Sequence, residues 1–259
     1  MFSDICKEYV IDDHIVLTII DIEEISEELT HTLDDNFVAI CEGASDTDIL
    51  TVKKRVRELF STKNNDWKMG ATAEFFVHLY IRLNGFRQEC LYLNLEENSI
   101  KKGFDGYYSL NGQEWIMESK AGSVSSKNAT HAAKVSLAMR DLEQKISGGG
   151  SETGRINNPW QEAYSHASHV DVGTSAQIRK NIKQLANEYT NGHFHSIEEF
   201  NTMPCGTIFL GGTWIKYDHD LLKSKIYDLE SMLRGQKVHV ICVTQKSTEL
   251  FLTYISKEA

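Results

Sequence analysis

The sequence predicts an α/β protein in which a mixed central sheet is flanked by helices. Residues 103–120 are typical of two strands joined at Asn111-Gly112, which is the strongest short signal for a β-hairpin turn. Two later segments, 207–214 and 237–245, are apolar at consecutive positions, as expected of strands that helices cover on both faces. With the helix between them they form a β-α-β unit, which would extend the sheet of the hairpin.

The first fifty residues predict a strand, a helix and a second strand, over 14–20, 23–35 and 37–43. They hold fourteen Asp and Glu residues against one lysine, a net charge of −13. The whole chain carries −10, so residues 51–259 carry +3. We therefore predict an acidic N-terminal α/β extension over residues 1–50, packed on a main domain that spans residues 51–259.

Two helices and a strand are predicted between this extension and the hairpin. The segment that begins at Asp46 has apolar residues at a spacing of three and four, which predicts an amphipathic helix. The basic outer face of that helix would carry Lys53, Lys54, Arg55 and Arg57. The next helix runs from Asp66 to Leu83, with Asn84-Gly85 as its C-cap. A strand is then predicted over residues 87–96.

Beyond the hairpin, helices are predicted over residues 127–146, from Pro159, and from Ser175 to about Tyr189. The polar side of the first helix either contacts phosphate or is simply solvated, and it presents Lys127, His131, Lys134 and Arg140. A flexible polar loop is predicted from Gly148. Gly211-Gly212, inside the strand predicted over 207–214, indicates a bulge or close packing.

The hairpin turn also brings charged side chains together. If Asn111 and Gly112 are the two loop residues, Asp105 lies opposite Glu118, and such partners share a face with Cβ atoms roughly 4.5–5.5 Å apart. Lys120 shares that face because strand side chains alternate with a period of two. Two carboxylates at this distance repel by about 3 kcal/mol at an effective dielectric constant near 20.

A purely structural hairpin would avoid this repulsion, whereas a divalent cation would remove it. Mg²⁺ binds carboxylate oxygens and keeps several waters, which leaves room for a phosphate substrate. The alternative is a solvated hairpin face on which Lys120 neutralises Glu118. The sequence therefore predicts either a metal site for phosphate chemistry or an ordinary charged surface at this position.

The same residues resemble the motif of the PD-(D/E)XK nucleases. GFDG at 103–106 is followed by ESK at 118–120, so that Glu118 lies thirteen positions after Asp105, and the preceding helix carries Glu74. This arrangement and the chain length are most similar to the nuclease subunits of Hachiman antiphage defence systems, which work beside a helicase subunit. Phe104 stands where the family name has proline, at a position that such enzymes keep loosely.

The resemblance implies a restriction-endonuclease-like core and a Mg²⁺-dependent deoxyribonuclease, with Mn²⁺ as another possible metal. Asp105, Glu118 and the backbone carbonyl of Ser119 would ligate the metal. Lys120 would orient or deprotonate the attacking water, or stabilise the developing phosphorane. Glu74 would hold a water of the metal or a second ion, unless it is an ordinary glutamate on a helix surface.

In biological terms, the resemblance implies an antiphage effector that cleaves DNA and is controlled by a partner helicase. The alternatives are a stand-alone restriction or repair nuclease and a catalytically silent nuclease fold that only binds a partner or nucleic acid. The overall negative charge argues against tight DNA binding by this chain alone. Locally the balance reverses, because residues 101–147 hold seven Lys and Arg against five Asp and Glu.

Composition limits the other function classes. No apolar run approaches the roughly 18–20 residues that span a bilayer, and the N-terminus MFSDICKEYV has no signal-peptide pattern. We therefore expect a cytoplasmic protein without a membrane partner. The five scattered cysteines form no CxxC pair and favour reduced thiols over a disulfide frame or zinc site. There is no P-loop, GxSxG or HExxH motif, so ATP hydrolysis would come from elsewhere.

Overall fold

The computed structural model describes residues 2–93, 103–149 and 158–257, and seven strands of these ranges form one mixed sheet. The strands are β1 (Cys6–Val10), β2 (Ile15–Ile22), β3 (Arg87–Gln88), β4 (Gly106–Leu110), β5 (Gln113–Ser123), β6 (Asn201–Phe209) and β7 (Val238–Gln245). Their order across the sheet is β1-β2-β7-β6-β5-β4-β3. The pairs β2–β7, β7–β6 and β6–β5 are parallel, and the outer pairs are antiparallel. The predicted α/β class with a mixed sheet is confirmed.

Helices cover both faces of this sheet. The α-helices of the described residues are α1 (Glu27–Glu42), α2 (Ile49–Ser61), α3 (Asn65–Leu83), α4 (His131–Ile146), α5 (Pro159–Ala167), α6 (Ala176–Thr190), α7 (His219–Tyr227) and α8 (Glu249–Ser256). One core joins a face of the sheet to α1, α2, α3 and α8. On the opposite face, α4 packs with α5 and α6 in one cluster and with α7 in another. None of the helices in the described ranges is long and apolar enough to cross a membrane.

The hairpin forms in the register that its turn predicts. Asn111 and Gly112 both have positive φ angles, 50° and 78°, as a two-residue type I′ turn requires. Leu110 then pairs with Gln113, and Gly106 pairs with Met117. Asp105 directly precedes Gly106, so the turn chemistry alone sets which residue of β5 it faces.

The predicted strand over 37–43 is wrong, because residues 37–42 continue α1 and Gly43 is its C-cap. Ser26 caps this helix, with its side chain accepting a hydrogen bond from the backbone N–H of Leu29. The buried apolar residues of α1 recur at helical spacing, which places them on one face against the sheet. They are Leu29, Leu33, Phe37, Ile40 and Cys41. A short apolar run such as FVAIC fits a strand or a buried helix equally well, and only the longer period distinguishes them.

The N-terminal strands belong to the same sheet as the rest of the chain. All eight residues of β2 pair in parallel with β7, from Ile15 opposite Val238 to Ile22 opposite Gln245. The edge strand β1, which the sequence pattern did not predict, pairs antiparallel with β2. Residues 1–50 are thus joined to the main sheet by a continuous ladder, while their division from residues 51–259 as a domain stays a prediction.

Two other predicted strands have different bounds. Of the described residues 87–93 of the strand predicted over 87–96, only Arg87–Gln88 pair in the sheet, as β3. The chain then leaves the sheet and bonds to the end of α1, since Tyr92 N–H donates to the Ile40 carbonyl at 3.0 Å. Residues 94–96 lie outside the described residues, as does most of the flexible loop predicted from Gly148.

The strand predicted over 207–214 is β6, which begins earlier, at Asn201, and ends at Phe209. Gly211 and Gly212 have φ angles of +70° and +102° and form a turn after the strand, so the predicted bulge is wrong. Pro204 lies inside β6, and the ladder to β7 has no pairs between Thr202 and Cys205. A proline inside a strand argues against a central position, because it cannot donate to the ladder. This explains why the first half of β6 was not predicted.

Candidate active site

The structure brings together the three charged residues that the hairpin predicts. The Asp105 carboxylate, at the entrance of β4, accepts a hydrogen bond from the backbone N–H of Ser119 with an Oδ2–N distance of 2.8 Å. Glu118 is only 2% exposed, and the Lys120 Nζ lies 2.9 Å from its Oε1. The alternative of a solvated hairpin face is wrong about exposure, because Glu118 lies beneath α4, but the ion pair of Lys120 with Glu118 that it predicted does form.

Two further charged side chains of α4 complete this cluster, and the sequence interpretation missed both. The Lys145 Nζ lies 2.5 Å from the Glu118 Oε2, and the Asp141 Oδ2 lies 2.6 Å from the Lys120 Nζ. Asp141 and Lys145 are four positions apart and share one face of the helix. Helical spacing could have paired them with each other, but nothing local indicates that this face lies against β5.

Glu74 projects from α3 into the interior and is only 5% exposed, so the alternative of a surface glutamate is wrong. Its Oε1 lies 3.2 Å from the Nε2 of His78, and the other ring nitrogen of His78 bonds to the Tyr108 hydroxyl. An ionised carboxylate only accepts, so the Nε2–H of His78 donates to Glu74, while the Tyr108 hydroxyl holds the ring at Nδ1. Tyr108 lies on β4, so this chain of contacts orients Glu74 from the hairpin itself.

Burial and neighbouring charge separate the ionisation of the two hairpin carboxyls. Burial, with the nearby Glu118 and Glu74 carboxylates, raises the pKa of Asp105 to about 7. Burial also acts to raise the pKa of Glu118, but Lys145 and Lys120 overcome it and hold that pKa below its usual value. Burial acts to lower the pKa of Lys120, but Glu118 and Asp105 raise it well above its usual value. Near neutral pH, Glu118 and Lys120 are therefore ionised, while Asp105 is divided between its two forms.

Two of the other basic residues proposed from the sequence, His131 and Lys53, are buried. His131 is 1% exposed, and its Nε2 lies 3.1 Å from the Val243 carbonyl, so it is not a phosphate contact. Lys53, assigned to the outer face of α2, is 7% exposed and pairs with Asp34 at 2.8 Å. In both cases the position falls on the helix face that packs against neighbouring elements, which the distribution of polar residues did not reveal.

The glycines of the GFDG segment hold Asp105 in place by close packing. A Cβ atom on Gly103 would lie 2.1 Å from the backbone oxygen of Pro159, and one on Gly106 would lie 2.6 Å from the Tyr108 ring. Between them, Phe104 is fully buried, and its ring centroid is 4.8 Å from that of Trp160. The segment therefore packs closely between α5 and the hairpin, and this packing fixes the backbone on both sides of Asp105.

Replacing Gly103 by alanine is expected to lower the free energy of unfolding by about 1–3 kcal/mol, because the new methyl group overlaps the backbone of α5. It should also displace Asp105 and lower any activity that depends on it. Gly70→Ala is the matched control, since Gly70 lies in α3 with no atom within 4 Å of a new Cβ, and alanine there should add up to about 1 kcal/mol. Urea unfolding of both variants measures this, and equal stability of Gly103→Ala and the wild type would contradict it.

The donor atoms around Asp105 suit a hard divalent cation. Asp105 and Glu118 provide carboxylate oxygens, and Ser119, directly after Glu118 in the chain, adds its backbone carbonyl. The Ser119 Oγ is buried without a hydrogen-bond partner among the described residues. Within the same ranges, no three His, Cys, Asp or Glu side chains already form a metal-binding group. An all-oxygen set of two carboxylates, a carbonyl and water fits Mg²⁺ or Mn²⁺ rather than zinc.

Comparisons with known proteins give no independent identification. No protein-family model matches the chain, and no curated protein is significantly similar to it. The interpretation of the site therefore rests on its own geometry and on the motif that the sequence carries.

Proposed function

We propose that this protein is a Mg²⁺- or Mn²⁺-dependent deoxyribonuclease with a restriction-endonuclease-like core of the PD-(D/E)XK type. The observation that carries the proposal is the convergence of Asp105, Glu118 and Lys120 on one face of the hairpin, with Glu74 near enough to raise the pKa of Asp105. The order of elements supports it as well. A helix, a three-strand meander, a second helix and a parallel strand occur in this order as α3, β3–β5, α4 and β6, with α5 and α6 inserted between α4 and β6.

Each residue of the cluster has a distinct role in this proposal. Asp105, Glu118 and the Ser119 carbonyl would hold the ion, which would acidify a bound water and neutralise charge on the scissile phosphate. Lys120 has two carboxylate partners, Glu118 and Asp141, and stays protonated. It therefore stabilises negative charge on the phosphate instead of acting as a general base. Glu74, oriented by His78, positions water beside Asp105.

Purified protein incubated with plasmid DNA and Mg²⁺, alone and with the proposed helicase partner, tests this function. Metal-dependent cleavage in either mixture, abolished by a chelator, is the expected result. Parallel reactions with RNA distinguish the substrate class. If neither Mg²⁺ nor Mn²⁺ supports cleavage, with or without the helicase, a catalytically silent binding module is the better interpretation.

The antiphage role would require a contact with the helicase, and the acidic N-terminal segment is a candidate for it. Glu23, Glu24, Glu27 and Glu28 are all exposed where β2 leads into α1. Three of them border a cavity of about 380 Å³, together with Trp214. This surface either keeps the protein solvated or docks a basic surface of the partner.

Reversing these four glutamates to lysine is expected to weaken co-purification with the helicase, and the effect of salt on the remaining complex should shrink. Metal-dependent cleavage by the free protein should not change. A control variant reverses four exposed carboxylates on other elements, Asp220, Asp228, Glu230 and Glu249. Undiminished binding at every salt concentration would leave the four glutamates as solvated surface.

A further inference from the structure

Both oxygens of the Glu118 carboxylate are occupied by ammonium groups. The Lys145 Nζ lies 2.5 Å from Oε2, and the Lys120 Nζ lies 2.9 Å from Oε1. Glu118 itself is 2% exposed. A cation that binds Glu118 therefore competes with the two lysines, because each carboxylate oxygen already has an ammonium group at contact distance and like charges repel.

The two lysines are held differently. Lys120 has a second carboxylate partner, since its Nζ lies 2.6 Å from the Asp141 Oδ2, and it can keep this contact after losing Glu118. The carboxylates that act on Lys145 are its ion-pair partner Glu118 and the nearby Asp105, and both belong to the proposed metal site. The Lys145 side chain is also 27% exposed and belongs to the last turn of α4. Lys145 is therefore the ammonium that can leave.

Departure of Lys145 without replacement would leave a buried carboxylate with only one positive partner, which is unfavourable. Exchange for another cation avoids this cost. The released ammonium, on its flexible four-carbon stem, is then near the metal site and without its carboxylate. A backbone phosphate of a nucleic acid is the anion that can bind it there.

We propose that Lys145 closes the metal site of the free protein by occupying Glu118 Oε2, that a divalent cation displaces it, and that the displaced ammonium binds a phosphate of the nucleic acid. This inference rests on the proposed function of the Asp105–Glu118 site. It has a thermodynamic consequence, because a phosphate that captures Lys145 removes the competitor of the metal. Nucleic acid and metal must then strengthen each other's binding by the same factor.

Mn²⁺ binding measured by electron paramagnetic resonance, without nucleic acid, tests the first half of the proposal. Lys145→Met is expected to bind Mn²⁺ about 10-fold more tightly than the wild type, within the usual range of coupling between two ligands. Lys180→Met is the matched control, because it removes one positive charge from an exposed position of another helix, α6. Its Mn²⁺ affinity should change by about 2-fold or less, as screened surface charge allows.

The second half is tested by repeating the titrations with a phosphorothioate DNA duplex, which resists cleavage. The duplex should tighten Mn²⁺ binding by the wild type and by Lys180→Met, and it should have little effect on Lys145→Met. Lys145→Gln, which keeps polarity at the position, provides a second variant if Lys145→Met melts at a much lower temperature than the wild type.

Equal Mn²⁺ affinity of Lys145→Met and Lys180→Met, or equal tightening by DNA in both, would overturn the proposed role of Lys145 alone, provided that Asp105→Ala abolishes the same Mn²⁺ binding. If Asp105→Ala binds Mn²⁺ as the wild type does, the ion binds elsewhere, and both the proposed function and the proposed role of Lys145 are wrong. The two failures are therefore distinguishable in one set of titrations.

Discussion

Alanine at Asp105, Glu118 or Lys120 is expected to abolish metal-dependent DNA cleavage, with a rate loss of about 10³-fold or more, equivalent to about 4 kcal/mol of activation free energy. The two acidic changes remove oxygen ligands that the other side chains of the cluster cannot replace. The Lys120 change removes the ammonium held between Glu118 and Asp141. Cleavage of plasmid at saturating Mg²⁺ measures the effect.

The fold should survive these changes, because the hydrophobic cores on both faces of the sheet are untouched. Glu74→Ala should lower the cleavage rate less, because in the proposed mechanism Glu74 positions a water molecule and does not ligate the ion held by Asp105 and Glu118. Asp35→Ala, which removes an exposed carboxylate of α1, is the control and should cleave at the wild-type rate. Cleavage by Asp105→Ala at the wild-type rate would show that the site assignment is wrong.

Asp105→Asn is expected to stabilise the metal-free protein increasingly as the pH rises. The pKa of Asp105 is about 7 in the folded protein, against an ordinary value of 3.8. Between pH 4 and pH 7 the folded state therefore binds more protons than the unfolded state, so stability falls as the pH rises through this range. The full shift corresponds to about 4 kcal/mol, and solvent screening of a half-buried carboxylate reduces it to about 2 kcal/mol.

Urea unfolding of the wild type and Asp105→Asn at pH 4.5, 6 and 8, in the presence of a chelator, measures this difference. Asparagine can still accept the Ser119 N–H, so the hydrogen bond of the hairpin is kept. The gap between the two proteins should widen from pH 4.5 to pH 8, whereas Asp35→Asn should run parallel to the wild type. Parallel curves for Asp105→Asn would mean that its carboxyl is not destabilised by burial and by its neighbours.

Mn²⁺ should reverse the order of the two proteins at pH 8. A ligand that binds only the folded state stabilises it by mass action, by about 2.7 kcal/mol at one hundred times its dissociation constant. The wild type should gain this stabilisation and Asp105→Asn much less, because it lacks one anionic ligand. Thermal melts with and without Mn²⁺ test this, and equal shifts would place the ion elsewhere.

Local chemistry determined the hairpin and, through it, most of the candidate site. A two-residue turn at Asn111-Gly112 allows one register, so the position of Asp105 relative to Glu118 and Lys120 followed from counting residues. The same holds for the start of α5 at Pro159 and for the end of α3 at Asn84. In each case one or two residues set the local backbone conformation, and contacts with distant parts of the chain do little to change it.

Tertiary structure decided the features that depend on distant partners. Residues 37–42 form helix because the longer apolar face of α1 packs on the sheet. The first half of β6 forms around Pro204 because β5 and β7 lie on either side of it. Glu74 is buried, and Asp141 and Lys145 meet Lys120 and Glu118, only because α3 and α4 pack on the sheet around the hairpin. Contacts between residues far apart in the chain leave no local pattern, so the two charges that complete the site were visible only in the folded protein.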